Sequence, residues 1–328
     1  MLTWASDDAR YTRAVTHSPS HTTLVTGGAG FIGSHVVEML LSRGTPVTIL
    51  DDFSSGREAN IPEHDRLRVV RGDVADADAV ADALDGCSRV VHLAAVASVQ
   101  RSVEDPIQTH RSNLIGTVQL LERCRHVGVE RVVYASSAAV YGNSQEPPVR
   151  EDGPLDPETP YAIDKLAGEH YLRYYRRVHG VSAMSLRFFN VYGPRQVSDS
   201  PYSGVISLFT RSALTGAPLT VMGDGLQTRD FVYVEDVAAT VVACLDLERL
   251  PSASVLNVGG GTPTSVLDLI DTLERVHGQP LERRFAAARP GEVRHSHADV
   301  STLSKAVGKI PVTSLMTGLR NLYVQAAD

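Results

Sequence analysis

A short apolar run from Thr23 to Thr26 breaks into glycines and then into apolar positions at helical spacing: Phe31, Ile32, Val36, Val37, Leu40 and Leu41. That change of period predicts strand, turn and helix. Gly44 and Pro46 stop the helix, and Val47 to Leu50 reads as a second buried strand ending in Asp51 and Asp52. The same grammar recurs in Leu67 to Val70, an Ala/Asp-rich helix ending at Leu84, and the strand Val90 to Leu93. It continues with a helix from about Asn113 to Val127, the strand Arg131 to Tyr134, a long helix from Tyr161 to His179 and the strand Leu186 to Phe189. Strands alternating with helices predict an α/β protein whose parallel sheet is covered on both faces.

Beyond residue 190 the texture changes. Gly193, Pro194, Pro201, Gly204, Pro218, Gly223 and Gly225 interrupt the alternation, which predicts a second, smaller lobe over 191–328 after a first lobe over 22–190. Segments near 231–260, with Val232 to Asp236 entering an apolar helix and Val255 to Val258, read as returning to the first sheet. Residues 1–21 are polar and charged, without an apolar stretch, and read as an extension ahead of the fold.

The 328 residues carry 31 Lys+Arg against 38 Asp+Glu, a net charge of −7, with no clustered basic footprint, so nucleic acid is not an expected partner. No apolar run is long enough to span a bilayer. Cys87, Cys124 and Cys244 are widely spaced, with no CxxC or Cys/His cluster, so no metal is expected and a reducing cytoplasm fits best.

The loop Gly27-Gly28-Ala29-Gly30-Phe31-Ile32-Gly33 fits both GxxGxxG and GxGxxG between a strand and a helix. Without Cβ atoms such a loop turns tightly and lets a pyrophosphate reach the backbone, while the helix N-terminus offers unpaired N–H groups. Asp51, at the end of the next strand, stands where a carboxylate accepts hydrogen bonds from a ribose. With Asp52 beside it, it repels a 2′-phosphate, which favours NAD over NADP despite the nearby Arg57. Asp73, after the third strand, reads either as a contact to the adenine edge or as a helix cap.

Tyr161 and Lys165 stand at i and i+4, one turn apart on one helix face. A cation near a phenol favours phenolate, and a tyrosine of ordinary pKa about 10 needs such help, from Lys165 together with a positively charged nicotinamide, to act as a base near neutrality. Ser136 and Ser137 close the strand that begins at Arg131, where a hydroxyl points into the ligand crevice of a parallel sheet. No nucleophile elbow, HExxH or P-loop is present. Histidines such as His92 and His170 read as packing or surface residues.

These segments carry a resemblance: TGGAGFIG (Thr26 to Gly33), HLAA (His92 to Ala95), SSAAVYG (Ser136 to Gly142), YAIDK (Tyr161 to Lys165), RFFNVYGP (Arg187 to Pro194), RDFVYVEDV (Arg229 to Val237) and RPGE (Arg289 to Glu292). From about residue 22 to 328 the chain resembles the extended short-chain dehydrogenases/reductases of the nucleotide-sugar epimerase/dehydratase group, most of all the UDP-glucose 4-epimerases. The resemblance implies a Rossmann-type doubly wound parallel sheet with a smaller C-terminal α/β domain for the substrate. It implies a homodimer paired through the two long helices, and 4-epimerisation of a UDP-sugar by way of a 4-keto sugar. Gly27, Gly30, Phe31, Ile32, Gly33, Asp51, Asp52, Asp73, Val74, Leu93, Ala94, Ala95, Tyr161 and Lys165 would surround a tightly held NAD. Tyr161 would be the base, Ser137 would assist, and Lys165 would hold the nicotinamide ribose and lower the phenol's pKa. Ser137, Tyr161, Asn190, Val205, Arg229, Arg289, Glu292 and Ser296 would meet the sugar nucleotide.

Two positions bear on the subclass. Ser137 is followed by Ala138, Ala139 and Val140, without the acids that related dehydratases and decarboxylases use, which leaves oxidation and re-reduction at one carbon. Asn190 resembles the glucose and N-acetylglucosamine epimerases. A small Ser296 leaves room for an enlarged sugar, and glucuronate stays open because Arg195 or nearby hydroxyls can meet a carboxylate. The competing reading is a reductase making a net NAD(P)H-dependent hydride transfer to a keto-sugar. A non-catalytic sensor is disfavoured because the tyrosine is kept.

Overall fold

The computed structural model describes residues 21–196, 204–252, 254–288, 293–308 and 312–327. The first half runs β1 (Thr22–Thr26), α1 (Phe31–Ser42), β2 (Val47–Asp51), β3 (Leu67–Arg71), α2 (Ala77–Ala83), β4 (Cys87–His92), α3 (Val99–Glu104), α4 (Pro106–His110), α5 (Gly116–Val127), β5 (Arg131–Ser137), α6 (Pro160–His179) and β6 (Ala183–Phe188). The second half runs β7 (Asn190–Tyr192), α7 (Val205–Thr215), β8 (Leu219–Met222), β9 (Thr228–Tyr233), α8 (Val234–Leu245), β10 (Val255–Val258), β11 (Pro263–Ser265), α9 (Val266–His277), β12 (Arg283–Ala286), α10 (Ser301–Val307) and α11 (Leu315–Ala327). A single π turn, Arg111–Ile115, joins α4 to α5.

Seven strands form one parallel sheet in the order β10-β6-β5-β4-β1-β2-β3. Its inner strands are apolar on both faces: every residue of β2 and β6 is buried. One face is closed by α1 and α8 through Val36, Val37, Leu40, Val237 and Val241. The other is closed by α2, α5 and α6 through Val80, Leu120, Leu121 and Leu172. Because β1 lies between β2 and β4, the strand order reverses there, and the crevice past the C-terminal ends of β1 and β4 is where ligands of open α/β sheets bind.

The remaining strands make a three-stranded sheet, β11-β9-β7, and a two-stranded one, β12-β8. Ile206, Phe209, Leu219, Leu269, Ile270 and Leu319 form their core with α7, α9 and α11. Of the 231–260 stretch, α8 packs on the large sheet and β10 joins it, but Phe231 to Tyr233 end β9 and belong to the three-stranded sheet. Their burial shows why: Asp230 and Val232 are buried while Arg229 and Phe231 are half-exposed, the alternation of a strand with one covered face.

Under α6 a charged pair is sealed from water. Glu169 and Arg187 of β6 are 6% and 2% exposed. Arg187 Nε donates to Glu169 Oε1 at 2.9 Å and Nη2 to Oε2 at 2.7 Å, and the Ser136 hydroxyl adds a bond to Oε1 at 2.5 Å. Removing one member of a buried pair strands the other's charge. Arg187→Met should therefore lower unfolding free energy by about 3–5 kcal/mol, read by urea denaturation.

Candidate active site

The loop from β1 to α1 is shaped by what its glycines touch. A Cβ on Gly27, whose φ is +70°, would lie 2.9 Å from the Ala94 nitrogen, and one on Gly33 would overlap the Gly27 carbonyl oxygen. The loop thus lies flat against the end of β4 and the first turn of α1. Gly30 caps α1 without a side-chain hydrogen bond, and no acid stands in the first turn. The leading N–H groups of the helix, at Phe31 and Ile32, are left for an anion.

Asp51 is 6% exposed. Its Oδ2 accepts from the Ala29 N–H at 2.9 Å and its Oδ1 from the Phe53 N–H at 2.8 Å, so it ties the glycine loop to the end of β2. Burial pushes its carboxyl above the usual range, opposed by those two N–H groups. Asp52 is exposed and accepts from the Ser54 N–H and hydroxyl at 2.9 and 2.6 Å. Gly56 closes on Asp51, and the Arg57 N–H reaches the Ala29 carbonyl at 3.0 Å, so residues 52–57 fold back over the glycine loop, a feature sequence reasoning missed. Asp73 accepts from the Ala75 N–H at 2.8 Å and lies 3.6 Å from Arg111, while the α2 cap is Asp76. Val74 is buried against Gly116.

Leu93, Ala94 and Ala95 follow β4, and their position is fixed by a relay through His92, which is 1% exposed. The Leu93 and Ala94 N–H groups donate to Thr26 Oγ1 at 3.2 and 3.1 Å, and Thr26 Oγ1 lies 2.8 Å from His92 Nδ1. Across the ring, Nε2 lies 2.8 Å from Thr117 Oγ1, whose proton goes to the Asn113 carbonyl at 2.6 Å. Thr117 therefore accepts from Nε2–H, and Thr26 donates to Nδ1, which assigns the tautomer. Burial first, and then the Lys165 charge, push His92 down to about 3, so it is neutral and positions the loop, as its packing role predicted. Asn113, in the π turn, clamps the Val96 N–H and carbonyl at 2.7 and 3.1 Å. No sequence signal marks that contact.

Ser137, Tyr161 and Lys165 come together at the C-terminal end of β5. The Ser137 Oγ accepts from the Ala139 N–H at 3.1 Å, which leaves its proton for the Tyr161 phenol. Lys165 Nζ donates to the Ala135 carbonyl at 2.7 Å and sits 5.9 Å from the Tyr161 ring centre. Burial pushes the phenol above its ordinary value, with the Ser137 bond opposing, and pushes Lys165 down to about 8. In the protein without a nicotinamide, burial is the larger influence on the Tyr161 phenol, and the Lys165 ammonium is turned to the Ala135 carbonyl.

On the second lobe, Asn190 is exposed on β7 and pairs in register with Phe231 of β9, two residues from Arg229. Arg229 Nη1 donates to the Thr228 and Arg294 carbonyls at 2.8 and 3.4 Å. The Ser296 N–H donates to the Thr228 carbonyl at 3.2 Å, which places Ser296 beside Arg229, while Val205 opens α7. Arg289 and Glu292 lie outside the described residues. Asp230, fully buried, takes N–H bonds from Gly260, Gly261 and Ala298 at 2.5, 3.1 and 2.9 Å and so ties β9 to both neighbouring loops. Hidden in the string RDFVYV, it was not singled out.

A model of the NAD-dependent epimerase/dehydratase family matches residues 23–259. The chain belongs to that family. It is 39% identical over 302 residues to a UDP-glucose 4-epimerase of Mycolicibacterium smegmatis, covering 90% of this chain and 96% of that protein. Among solved structures it is similar to the UDP-N-acetylglucosamine 4-epimerase of Methanobrevibacter ruminantium in complex with UDP-N-acetylmuramic acid. There the TM-score is 0.89 at 34% identity, over 94% of this chain and 99% of that one. It is also similar to the UDP-glucuronic acid 4-epimerase of Bacillus cereus in complex with UDP-glucuronic acid and NAD, with TM-score 0.85 at 34% identity, over 92% and 98%. The resemblance read from the motifs, the Rossmann-type sheet, the epimerase class and NAD as cofactor are borne out.

The residues present fit that cofactor. A Cβ at Gly33 would run into the Gly27 carbonyl and one at Gly27 into the Ala94 backbone, so either would push the loop off the position that leaves the uncapped end of α1, with its donors, open to a pyrophosphate. Gly33→Ala should weaken NAD binding about tenfold or more, since forcing atoms into a packed site costs about 1–3 kcal/mol. Calorimetric titration of the cofactor-stripped protein with NAD would measure it.

Proposed function

We propose that this enzyme inverts C4 of a UDP-sugar of the glucose/galactose, N-acetylglucosamine or glucuronate type. The observation that carries this reading is the grouping of Ser137, Tyr161 and Lys165 at the mouth of the crevice, followed by a turn, Ala138–Tyr141, that holds no acid. Elimination or decarboxylation would need a second proton-transfer group there. Relatives of this chain are named for three different sugars, which is why the reading names the reaction more narrowly than the sugar.

NAD, when bound, supplies an acceptor that takes a hydride from C4 and returns it to the other face. Tyr161 accepts the proton of the 4-hydroxyl and gives it back. Ser137 bridges the phenol and the sugar oxygen and steadies the developing charge. Lys165 contributes positive charge at the floor of the site. Because burial keeps the phenol protonated in the protein alone, Tyr161 becomes an effective base only when a further positive charge, that of the oxidised nicotinamide, enters the site. This couples base strength to cofactor occupancy. Asn190, Val205, Arg229 and Ser296, with Arg289 and Glu292, are assigned to the nucleotide sugar, where planar guanidinium groups suit diphosphate oxygens.

Incubation with UDP-glucose, UDP-N-acetylglucosamine and UDP-glucuronate, followed by separation of products, tests the reading. A 4-epimer from at least one supports it, and none from any removes it, while stoichiometric NADH consumption would favour a net reductase. Tyr161→Phe should cut turnover about a hundred- to ten-thousandfold and leave NAD bound. Turnover should fall as pH rises through about 8, because the Lys165 ammonium is present below that value and lost above it.

The chain is also assigned to a homodimer in the cytoplasm. No helix among the described residues is long and apolar enough to cross a membrane, and all three cysteines are free and buried. Exposed apolar residues gather on the helices beside the active site: Val103 of α3, Ile107 of α4, and Ile163, Tyr174 and Val178 of α6. Ile107, 80% exposed, is the most open of them. Ile107→Arg combined with Ile163→Arg should convert dimer to monomer in light scattering; wild type at monomer mass would overturn the assignment.

A further inference from the structure

Tyr134 of β5 has no part in the chemistry above, yet it touches a group on which that chemistry depends. It is 1% exposed. Lys165 Nζ lies over its ring, 4.8 Å from the ring centre, and 5.9 Å from the centre of the Tyr161 ring, so the ammonium stands against two aromatic faces. Among the described residues its hydrogen bond goes to the Ala135 carbonyl alone, at 2.7 Å. An ammonium carries three N–H donors. One that is sealed from water with a single acceptor is stabilised by whatever negative surface adjoins it, and the face of an aromatic ring is such a surface.

The ring is held in that place from the sheet and from the helix. Tyr134 pairs in register with His92 of β4, and the two rings pack with centres 5.5 Å apart and planes tilted by 33°. His92 is itself fixed by Thr26 and Thr117, and burial leaves it neutral. On the helix side, a Cβ on Gly168 would lie 2.5 Å from the Tyr134 hydroxyl and 2.8 Å from Cζ. The missing side chain there, three residues after Lys165, is what gives the ring its room under α6. Burial pushes the Tyr134 phenol well above its ordinary value, so the ring carries no net charge. The charged groups nearby have partners of their own. Glu169 of α6 is met by Arg187 of β6 and by Ser136, Asp164 of α6 accepts from His110 of α4 at 2.9 Å, and Arg111 in the π turn lies 3.6 Å from Asp73.

We propose that Tyr134 is a positioning residue for the reaction, the face of its ring holding the Lys165 ammonium at the end of β5, one helix turn from Tyr161. The inference rests on the roles given to Tyr161 and Lys165 above. Burial works against the Lys165 charge. The ring face offsets part of that cost for the ammonium and does little for the neutral amine, so it favours the charged form. A carboxylate in direct contact would favour it too, but would cancel the field that the ammonium exerts on the Tyr161 phenol. An uncharged ring secures the ammonium and leaves that field in place.

The chain contains three lysines, Lys165, Lys305 and Lys309, so carbon-13 labelling of lysine side chains gives a spectrum in which Lys165 is assigned by its disappearance in Lys165→Met. Titrating the purified holoenzyme reads its midpoint without any turnover. Tyr134→Phe keeps the ring and should leave the midpoint in place. Phenylalanine carrying one, two and then three ring fluorines at position 134 keeps the shape but drains the ring face of negative charge. That series should lower the midpoint step by step, by about one pH unit in all, the size of a desolvated ammonium–ring contact. Tyr134→Leu should lower it by as much at once; should that variant not fold, the fluorinated series decides alone. A midpoint that stays level across the series overturns the proposal. So does a fall in Tyr134→Phe equal to that in Tyr134→Leu, which would assign the effect to packing and not to the ring face. With a substrate that turns over, the alkaline fall of kcat should move with the midpoint. If no UDP-sugar is epimerised but the midpoint follows ring fluorination, the functional reading fails and the hold of Tyr134 on Lys165 stands.

Discussion

Glu169 is sealed beneath α6, and its charge is met inside the protein by Arg187, with Ser136 as a third partner. That demand sets the rotation of α6 on the sheet. Lys165 lies one turn before Glu169 and Tyr161 one turn before that, so a helix locked at Glu169 delivers both side chains to the end of β5. Ser136 is held by the pair, and its neighbour Ser137, on the opposite face of the strand, is thereby aimed at the phenol. Arg187 also lies 4.8 Å from the Tyr141 ring centre, and the Tyr141 hydroxyl donates to Asn257 Oδ1 at 2.6 Å. Asn257 in turn donates to the Val149 and Asp299 carbonyls. One buried ion pair thus fixes Ser137, Tyr161 and Lys165 relative to one another and, through Tyr141 and Asn257, the loops at Val149 and Asp299.

The cofactor side of the crevice is arranged by neutral groups. The relay from the Ala94 N–H through Thr26, His92 and Thr117 to Asn113 has its donors and acceptors in order, and the ring stays uncharged. It spans β1, β4 and the turn ahead of α5, so the loops that face the cofactor are held before any ligand arrives. The net charge of −7 cannot draw in two anionic ligands. On the function proposed above, the pull comes from the uncapped end of α1 and from the arginines assigned to the nucleotide sugar, close-range effects acting against the mean field.

What the sequence revealed and what it hid divide along a physical line. The glycine loop, Asp51, Tyr161 and Lys165 were legible because each depends on spacing within one strand–turn–helix unit or one helix turn. Asp230 and Asn113 were not, because their partners lie far away in sequence and a polar residue inside an apolar string looks the same with or without them. The strand containing Val232 was assigned to the wrong sheet, since apolar strands announce burial but not the neighbours they pair with. The surroundings of Tyr161 were hidden for a similar reason: i,i+4 spacing brings an ammonium near a phenol, but does not show which acceptor that ammonium turns to or how much water is excluded.

The sheet order carries one more consequence, for assembly. β10, at Val255–Val258, closes the edge of a sheet begun at Thr22, after the chain has left to build β7, α7, β8 and β9. A chain emerging from the ribosome therefore holds an open, apolar edge at β6 and an uncovered face awaiting α8 until the first elements of the second lobe, β7, α7, β8 and β9, have been made. Pairings between such distant segments close slowly and leave sticky surfaces exposed meanwhile. The two lobes are therefore not separate in their birth, and a fragment cut at the apparent boundary would lack part of its own sheet.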